Sequence, residues 1–509
     1  KSGERYFRYD HEKGGKGLRM RKRASITVFS ALAFALVASF LMALLEAGRV
    51  YQIQTYADMK STLALESVCA EYQPVLWEEF HLLGLDGAYG GDTFSMDHVT
   101  AVLRERLDRN LDVDGAGGSI LQVTLAGAEP VAYRLMTDQE GSVFLHCVAA
   151  YMKQNMAMET IRALQERYGE HEQVEQSGQG EESIEDARTA IEEAKSERRE
   201  QAESDGTEAV IPELPPEQEN PLEVVHAIKQ NALLGMTLGD LGAVSTRQTD
   251  LGDSIERRQK QTGNMEIQVS DWYDRILALE YMDQYFGDYL GESEDHALAY
   301  ELEYVLAGKG SDKENLESVI KRLLFVREAA NITHILGDGD KRAKTLGMAE
   351  ALAGFTGNPA VVRLVQTGVI AAWAYVESIL DIRALLAGDK IALIKTETQW
   401  TAQFGSLAAA FEDGKKAKNC ENGVSYQGYL KGFLYTVSAE RLAYRMMDIM
   451  ERTVRLHPMY ADCRMDHVLC GISYRMDYEW QPLFSGLMVH TGRDLSGLCY
   501  QTQRTFSYD

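Results

Sequence analysis

The sequence lacks the compact motifs that mark common enzyme chemistry. It has no glycine loop ending in Lys-Ser or Lys-Thr to cradle a phosphate, no His-Glu-x-x-His, no Gly-x-Ser-x-Gly and no Cys-x-x-Cys. Enzymatic turnover is therefore not expected, and no cofactor is expected either. Clustered Lys and Arg are also missing beyond the first 23 residues, in a chain of net charge −25. Phosphate backbones are held by such clusters, so a nucleic-acid partner is excluded. No internal repeat is evident. The six cysteines, Cys69, Cys147, Cys420, Cys463, Cys470 and Cys499, are scattered through a chain large enough to need no covalent staples. A second membrane span is absent as well: the best candidate, Val361 to Leu386, is interrupted by Arg363, Gln366, Glu377, Asp381 and Arg383. Each charge near a bilayer centre costs roughly 2.5–3.5 kcal/mol on insertion scales, so this stretch is expected to be a buried helix.

One long apolar run is present, from Ala24 to Leu45, interrupted only by Ser25, Thr27, Ser30 and Ser39. Crossing about 30 Å of hydrocarbon takes about 20 mostly apolar residues, and hydroxyls that bond back to the preceding turn are tolerated there. Ahead of it lie nine basic and three acidic side chains, ending in Arg21, Lys22 and Arg23, with Glu46 and Arg49 at its far boundary. By the positive-inside rule the basic end stays in the cytoplasm and the rest of the chain is extracytoplasmic. The basic cluster itself suits anionic lipid headgroups. A cleaved secretory signal is the competing reading, but the run exceeds the roughly 7–15 residues of a signal core and no small-x-small site closes it. Ile53, Tyr56, Ala57, Leu63, Ala64, Val68 and Cys69 continue at helical spacing, which predicts one helix from the membrane to about Tyr72.

The remaining periodicities predict a mainly α fold with minor β, an α+β class: one transmembrane helix leading into a large helical domain with small sheet elements. The expected layout is a basic cytoplasmic flank at 1–23, a transmembrane helix at 24–45, a membrane-proximal α/β part at 46–168, an acidic low-complexity linker at 169–220 and a mainly helical ectodomain at 221–509. Residues 74–92 read as a turn and loop, Met96–Asn110 as a helix, and Ser119–Thr137 as strands broken by a turn at Gly127-Ala128-Glu129-Pro130. Ser142–Tyr168 reads as a helix. The linker is rich in Glu, Gln, Ser and Gly, although Ile184, Ala187, Ile191 and Ala194 would permit a short coiled-coil hairpin. Helices are then predicted at Trp272–Leu290, Asp295–Leu306, Lys313–Leu336, Asp340–Ala353, Ala360–Leu386 and Gly428–Arg455, with Gly308, Gly337 and Gly388 as terminal caps. Ile472–Trp480 alternates as a half-buried strand, and Cys499–Tyr508 is its candidate partner.

Three groups of residues could carry chemistry. His457, Cys463, His467 and Cys470 have zinc-ligand character, and on a helix the last three would share a face at i, i+4 and i+7; small core cysteines beside a packed histidine are the plainer reading. Glu301 with Glu303, and Glu377 with Asp381 beside Trp373 and Tyr375, could serve a hydrolase if burial raised one pKa. Structural pairing with Lys309, Arg322, Arg327 or Arg383 is the alternative. Tyrosine outnumbers phenylalanine, 25 to 15, which suits wet contact surfaces.

Ile26-Thr27-Val28-Phe29 through Glu46-Ala47-Gly48-Arg49 resembles the amino-terminal helix of the TadE/TadG pseudopilin-like proteins of tight-adherence (Flp, type IVc) pili. Leu76-Trp77-Glu78-Glu79-Phe80-His81-Leu82, Tyr300-Glu301-Leu302-Glu303-Tyr304-Val305-Leu306-Ala307-Gly308-Lys309 and Ala372-Trp373-Ala374-Tyr375-Val376-Glu377-Ser378 resemble a Gram-positive family, domain-of-unknown-function family 5702, whose members are similar to products of tad pilus loci. The resemblance implies a single-pass membrane protein, facing outward, that contacts the bilayer and other pilus-assembly proteins. An adhesin or sensor ectodomain is the alternative, with a surface hydrolase behind it. Thr27, Val28 and Phe29 replace the small residue and early Glu of a prepilin processing site, which argues against cleavage and against a major-pilin role. Arg21, Lys22, Arg23, Glu46 and Arg49 are the candidate membrane-boundary and assembly contacts, with Glu46 able to neutralise a charge on a neighbouring subunit.

Overall fold

The computed structural model describes residues 17–111, 121–154, 180–205, 215–216, 219–239, 243–411, 414–484 and 498–508. Its first elements are α1 (Gly17–Cys69), α2 (Pro74–Phe80), β1 (Leu85–Asp86), α3 (Met96–Leu111), β2 (Val123–Leu135) and α4 (Ser142–Lys153). Next come α5 (Gly180–Asp205), α6 (Pro221–Lys229), α7 (Leu233–Leu238), α8 (Asp271–Tyr285), α9 (Glu301–Ala307), α10 (Asp312–Gly337), α11 (Gly339–Ala353) and α12 (Pro359–Leu386). The last are α13 (Tyr426–Thr436), α14 (Ala439–Arg455), β3 (Val468–Trp480) and β4 (Leu498–Ser507). The α+β, mainly helical class is as expected.

Three helices open with the same local chemistry. Gln73, Asn220 and Asn358 each precede a proline and accept a backbone N–H from inside the first turn, at 3.0, 3.1 and 3.0 Å. Proline costs nothing there because its missing donor would be unpaired anyway, and the amide oxygen satisfies one of the others. This cap makes the first seven residues of the stretch expected as turn and loop at 74–92 into α2, while 81–92, apart from β1, is loop and turn as expected. Gly308 and Gly388 have φ of +62° and +85° and end α9 and α12 as predicted. Gly337 does not act this way; Asp338 both follows α10 and caps α11. The single helix predicted at Gly428–Arg455 is split at Val437 and Ser438. The helix predicted from Asp295 begins only at Glu301.

The chain forms two compact units, interleaved in sequence. The first gathers residues 1–71, 95–133 and 471–507; the second gathers 72–94, 134–470 and 508–509. Segments from both ends of the globular region thus contribute to one unit.

In the first unit, α1 packs on α3 and β4. Strands β3 and β4 are antiparallel, in register from Gly471↔Ser507 to Trp480↔Leu498, which is the predicted C-terminal pair. Ile472, Tyr474, Met476 and Tyr478 are buried, and the two tyrosine hydroxyls are used: Tyr478 meets Ser61 Oγ at 2.7 Å and Tyr474 meets Thr100 Oγ1 at 2.9 Å. Asp58 of α1 accepts from Tyr500 and Thr502 of β4 at 3.1 and 2.7 Å. β2 flanks β3 and runs unbroken through Pro130. The expected turn is absent because a strand with one described neighbour tolerates a residue with no N–H to give.

In the second unit α12 is the central helix, surrounded by α5, α6, α7, α10 and α11. From Gly368 to Ile382 every residue is buried. The acidic segment expected as a linker supplies α5, whose Ile184, Ala187 and Ile191 are buried against this core. Closeness is set by Gly368: a Cβ there would stand 2.3 Å from Ala187 Cβ and 3.0 Å from Ser183 O. The hydrophobic spacing noted in this tract is thus satisfied by a helix of the same chain. The rest of 169–179 and 206–214, and the expected helical stretch beyond 154, lie outside the described residues.

Candidate functional site

The membrane-length segment of α1 starts at Ile26, and among the described residues it is the one helix long and apolar enough to cross a bilayer. Its side chains point outward without protein cover; Phe29 is 72% and Phe34 77% exposed. At its end Glu46 and Arg49 are buried, 7% and 3% exposed, and paired at 2.9 Å. Arg49 also donates to the carbonyls of Gln481 at 2.9 Å and Leu121 at 2.7 Å. The second oxygen of Glu46 accepts the N–H groups of Leu483 and Phe484 at 3.2 and 2.8 Å. Both side chains therefore clamp the helix to loops of its own unit. Within the chain, the Glu46 carboxylate is thus held by Arg49 and by the amides of Leu483 and Phe484. Arg21, Lys22 and Arg23 lie within α1, and their side chains are outside the described part.

In the second unit, charges converge on α12. Asp381 Oδ2 accepts from Arg327 Nε at 3.0 Å and from Asn331 Nδ2 at 3.1 Å, and Arg327 Nη2 stands 2.9 Å away. Lys395 Nζ contacts both Glu377 Oε1 and Asp381 Oδ1. Glu377 also accepts the backbone N–H of Thr401 at 3.1 Å and of Ala402 at 2.6 Å. All four charged side chains are at most 1% exposed. Burial pushes the Glu377 carboxyl upward, aided by Asp381 and opposed by Lys395. For Arg327 desolvation opposes the charge, but Tyr429 and Asp381 outweigh it and the pKa moves up. Arg327 thus fills the structural pairing role foreseen for it. Lys395 escapes sequence reasoning, because it sits in a segment without periodicity between α12 and α13.

Glu301 and Glu303 are fully buried in the same unit. Glu301 accepts from Gly287 N at 2.9 Å, Ser293 Oγ at 2.8 Å and His296 Nδ1 at 2.8 Å. Glu303 accepts from Tyr426 OH at 2.6 Å and Tyr289 N at 2.9 Å, and burial pushes it up to about 8. These partners replace the expected Lys and Arg. Arg322 reaches Thr436 Oγ1 at 2.7 Å, and Arg383 the carbonyl of Met236 at 2.8 Å.

The zinc-like group is dispersed over different local structures. Cys463 lies in a loop, His467 ends a short 3-10 turn and Cys470 lies in β3, because Val468 and Leu469 pair with β1 instead of continuing a helix. His457 precedes Pro458 on the surface. Burial raises the Cys463 thiol to about 12 and lowers the His467 imidazole. Cys470 hydrogen-bonds to Cys147 and lies 3.5 Å from the Arg134 carbonyl. Among the described residues no three His, Cys, Asp or Glu side chains could hold a metal together.

Two surface features remain. Trp77, His81, Tyr151, Tyr281 and Tyr285 pack around the end of α2, mostly edge to face, with the Tyr151 and Tyr285 hydroxyls 2.6 Å apart. An open cavity of about 350 Å³ is lined by Val224, Ala227, Ile228, Ala408 and Phe411 with Glu223 and His226 at its polar edge.

Together these features define a mainly helical α+β protein with one N-terminal membrane-length helix and buried structural charge networks. A model of the family of unknown function DUF5702 matches residues 212–480, more than half of the chain, and the protein belongs to that family. No curated protein and no solved structure matches it.

Proposed function

We propose that this chain is a membrane-anchored, outward-facing structural component or accessory of a Flp/Tad-type pilus system, acting through protein–protein contacts. The observation that carries this reading is the unbroken α1. Its lipid-compatible part passes directly into a segment clamped by Glu46 and Arg49, so within the first unit the anchor and the folded part share one continuous helix. The resemblance of this helix to TadE/TadG proteins supports the pilus context. The basic flank supports an N-terminus in the cytoplasm.

Deleting the chromosomal copy should abolish pili and adhesion and be reversed by complementation; unchanged piliation would reject the assignment. Orientation has its own test. Cys499 is exposed while the other five thiols are buried, so an impermeant maleimide added to intact cells should label it. Labelling only after lysis would place the domain in the cytoplasm.

A second reading, an adhesin or sensor ectodomain, is favoured by the aromatic cluster around Trp77, which is 38% exposed. Tyr and Trp rings with one wet edge are common at contact surfaces. Here Trp77→Ala would abolish surface attachment while leaving pili intact; loss of pili in that variant would return the cluster to assembly.

A further inference from the structure

The charge network on α12 holds a primary amine against two carboxyl groups in a water-excluded pocket. Its atoms are not equivalent. Asp381 Oδ2 is held by Arg327 at 3.0 and 2.9 Å and by Asn331 at 3.1 Å, while Asp381 Oδ1 faces Lys395 Nζ. Glu377 Oε1 faces the same Nζ, and its other oxygen is fixed by the amides of Thr401 and Ala402. The ring of Trp400 closes the amine side, 5.8 Å from Nζ, and is itself packed on Trp373 and His334. We propose that Lys395 and Asp381 join in an intramolecular isopeptide bond, a self-catalysed covalent cross-link between α12 and the segment leading to Trp400.

The step balances without an outside reagent. Lys395 begins as an ammonium and Asp381 as a carboxylate. Glu377 takes one ammonium proton, leaving a lone pair on Nζ that attacks Asp381 Cγ. The tetrahedral intermediate carries its developing negative charge on Oδ2, where the Arg327 and Asn331 donors stabilise it. Glu377 returns its proton to Oδ1, a second nitrogen proton follows, and the Cγ–Oδ1 bond breaks. An amide and one water result, and the two opposite charges disappear together. Glu377 suits the shuttle because its Oε1 faces Nζ directly and burial pushes its pKa upward, which strengthens it as a proton acceptor. Proximity supplies the rest: reactants fixed in one pocket react at effective concentrations of about 10⁵ M or more. A dry site also keeps the water that would reverse the reaction away.

Intact-mass spectrometry of the denatured full-length protein decides the matter. The wild type should be lighter than its sequence by one water, and proteolysis should release a branched peptide joining Lys395 to Asp381. Lys395→Arg keeps the charge but cannot form the bond, and should have the full mass of its sequence. Glu377→Gln should reduce the linked fraction from nearly all molecules to almost none. A wild-type mass equal to that of the sequence overturns the proposal, as does a branched peptide carrying Glu377 instead of Asp381. Full linkage in Glu377→Gln would overturn the shuttle.

Discussion

Among the described residues two helices are long and apolar, and they have opposite fates. In α1 the run up to Leu45 carries no charge until Glu46, and its side chains are open to whatever surrounds the protein. In α12 every residue from Gly368 to Ile382 is buried, and Glu377 and Asp381 sit in that run on a face lined by Arg327 and Lys395. Composition alone barely separates the two. What separates them is where the charges fall and whether the same chain supplies partners for them. An ion pair inside protein can be satisfied by fixed donors, whereas in lipid each charge carries a desolvation cost that nothing offsets.

The sharpest way to break this contrast is to remove a partner from α12. Arg327→Ala leaves the pocket around Glu377 and Asp381 one cation short, whether or not Lys395 is joined to Asp381, at a site that water does not reach. A loss of about 3–5 kcal/mol is expected, since an uncompensated buried charge is costlier than the pair was favourable. Denaturant unfolding of the detergent-solubilised full chain measures it.

Titration tests the same region without mutation of the network. Glu303 is pushed up to about 8 by burial, so between its ordinary range and pH 8 the folded state holds a proton that the unfolded state has released. Its contribution is complete below the ordinary carboxylate range and is lost as pH rises through about 8. Asp448, raised to about 6 by burial, acts with the same sign over a lower window. Stability should therefore fall from about pH 5 to about pH 8.5 by on the order of a few kcal/mol. Glu303→Gln keeps an oxygen for Tyr426 and Tyr289 and should flatten the curve; an unchanged slope would show that other groups set it.

On the other side of the comparison, Leu36→Lys places an ammonium near the middle of the exposed run. The insertion cost is roughly 2.5–3.5 kcal/mol, so the fraction resistant to alkaline carbonate extraction should drop. Full retention would mean that α1 is covered by protein at that depth.

This contrast also explains what was legible in the sequence. Period and length sufficed for the long apolar helix α1, for α12 as a buried helix and for the β3–β4 pair, because each is a local pattern repeated over many residues. The zinc-like spacing failed because β1 captures Val468 and Leu469, a pairing with residues nearly four hundred positions away. Lys395 could not be found from its neighbours, since only the folded chain brings it to Glu377. The acidic tract misled for a related reason: its three buried residues are too few to stabilise a lone helix, but α12 offers them a groove. Arg327 was legible as a partner because it lies on a helix whose apolar face leaves an arginine pointing inward.

That groove yields a smaller effect. Gly368→Val would drive a side chain into Ala187 and the Ser183 carbonyl, so α5 should lift and stability fall by roughly 1–3 kcal/mol. Faster amide exchange confined to 180–205 would locate the damage. Gly347, inside α11, is the control, because a Cβ added there would meet no atom within 4 Å. Gly347→Ala should gain up to about 1 kcal/mol by helix propensity.

The smallest effect is expected where the membrane segment ends. Glu46→Gln removes one charge from the clamp but keeps an oxygen for the N–H groups of Leu483 and Phe484, and Arg49 retains the carbonyls of Gln481 and Leu121. A cost of about 1 kcal/mol follows, the usual net worth of a hydrogen bond with a charged partner lost and its neighbours kept. Amide exchange at Leu483 and Phe484 should rise several-fold, with membrane insertion unchanged. Glu46→Ala should raise it further, because both amides then lose their acceptor. If the Gln variant left those amides protected but abolished pilus assembly, the carboxylate would be acting on another molecule, and the clamp would be the lesser of its two roles.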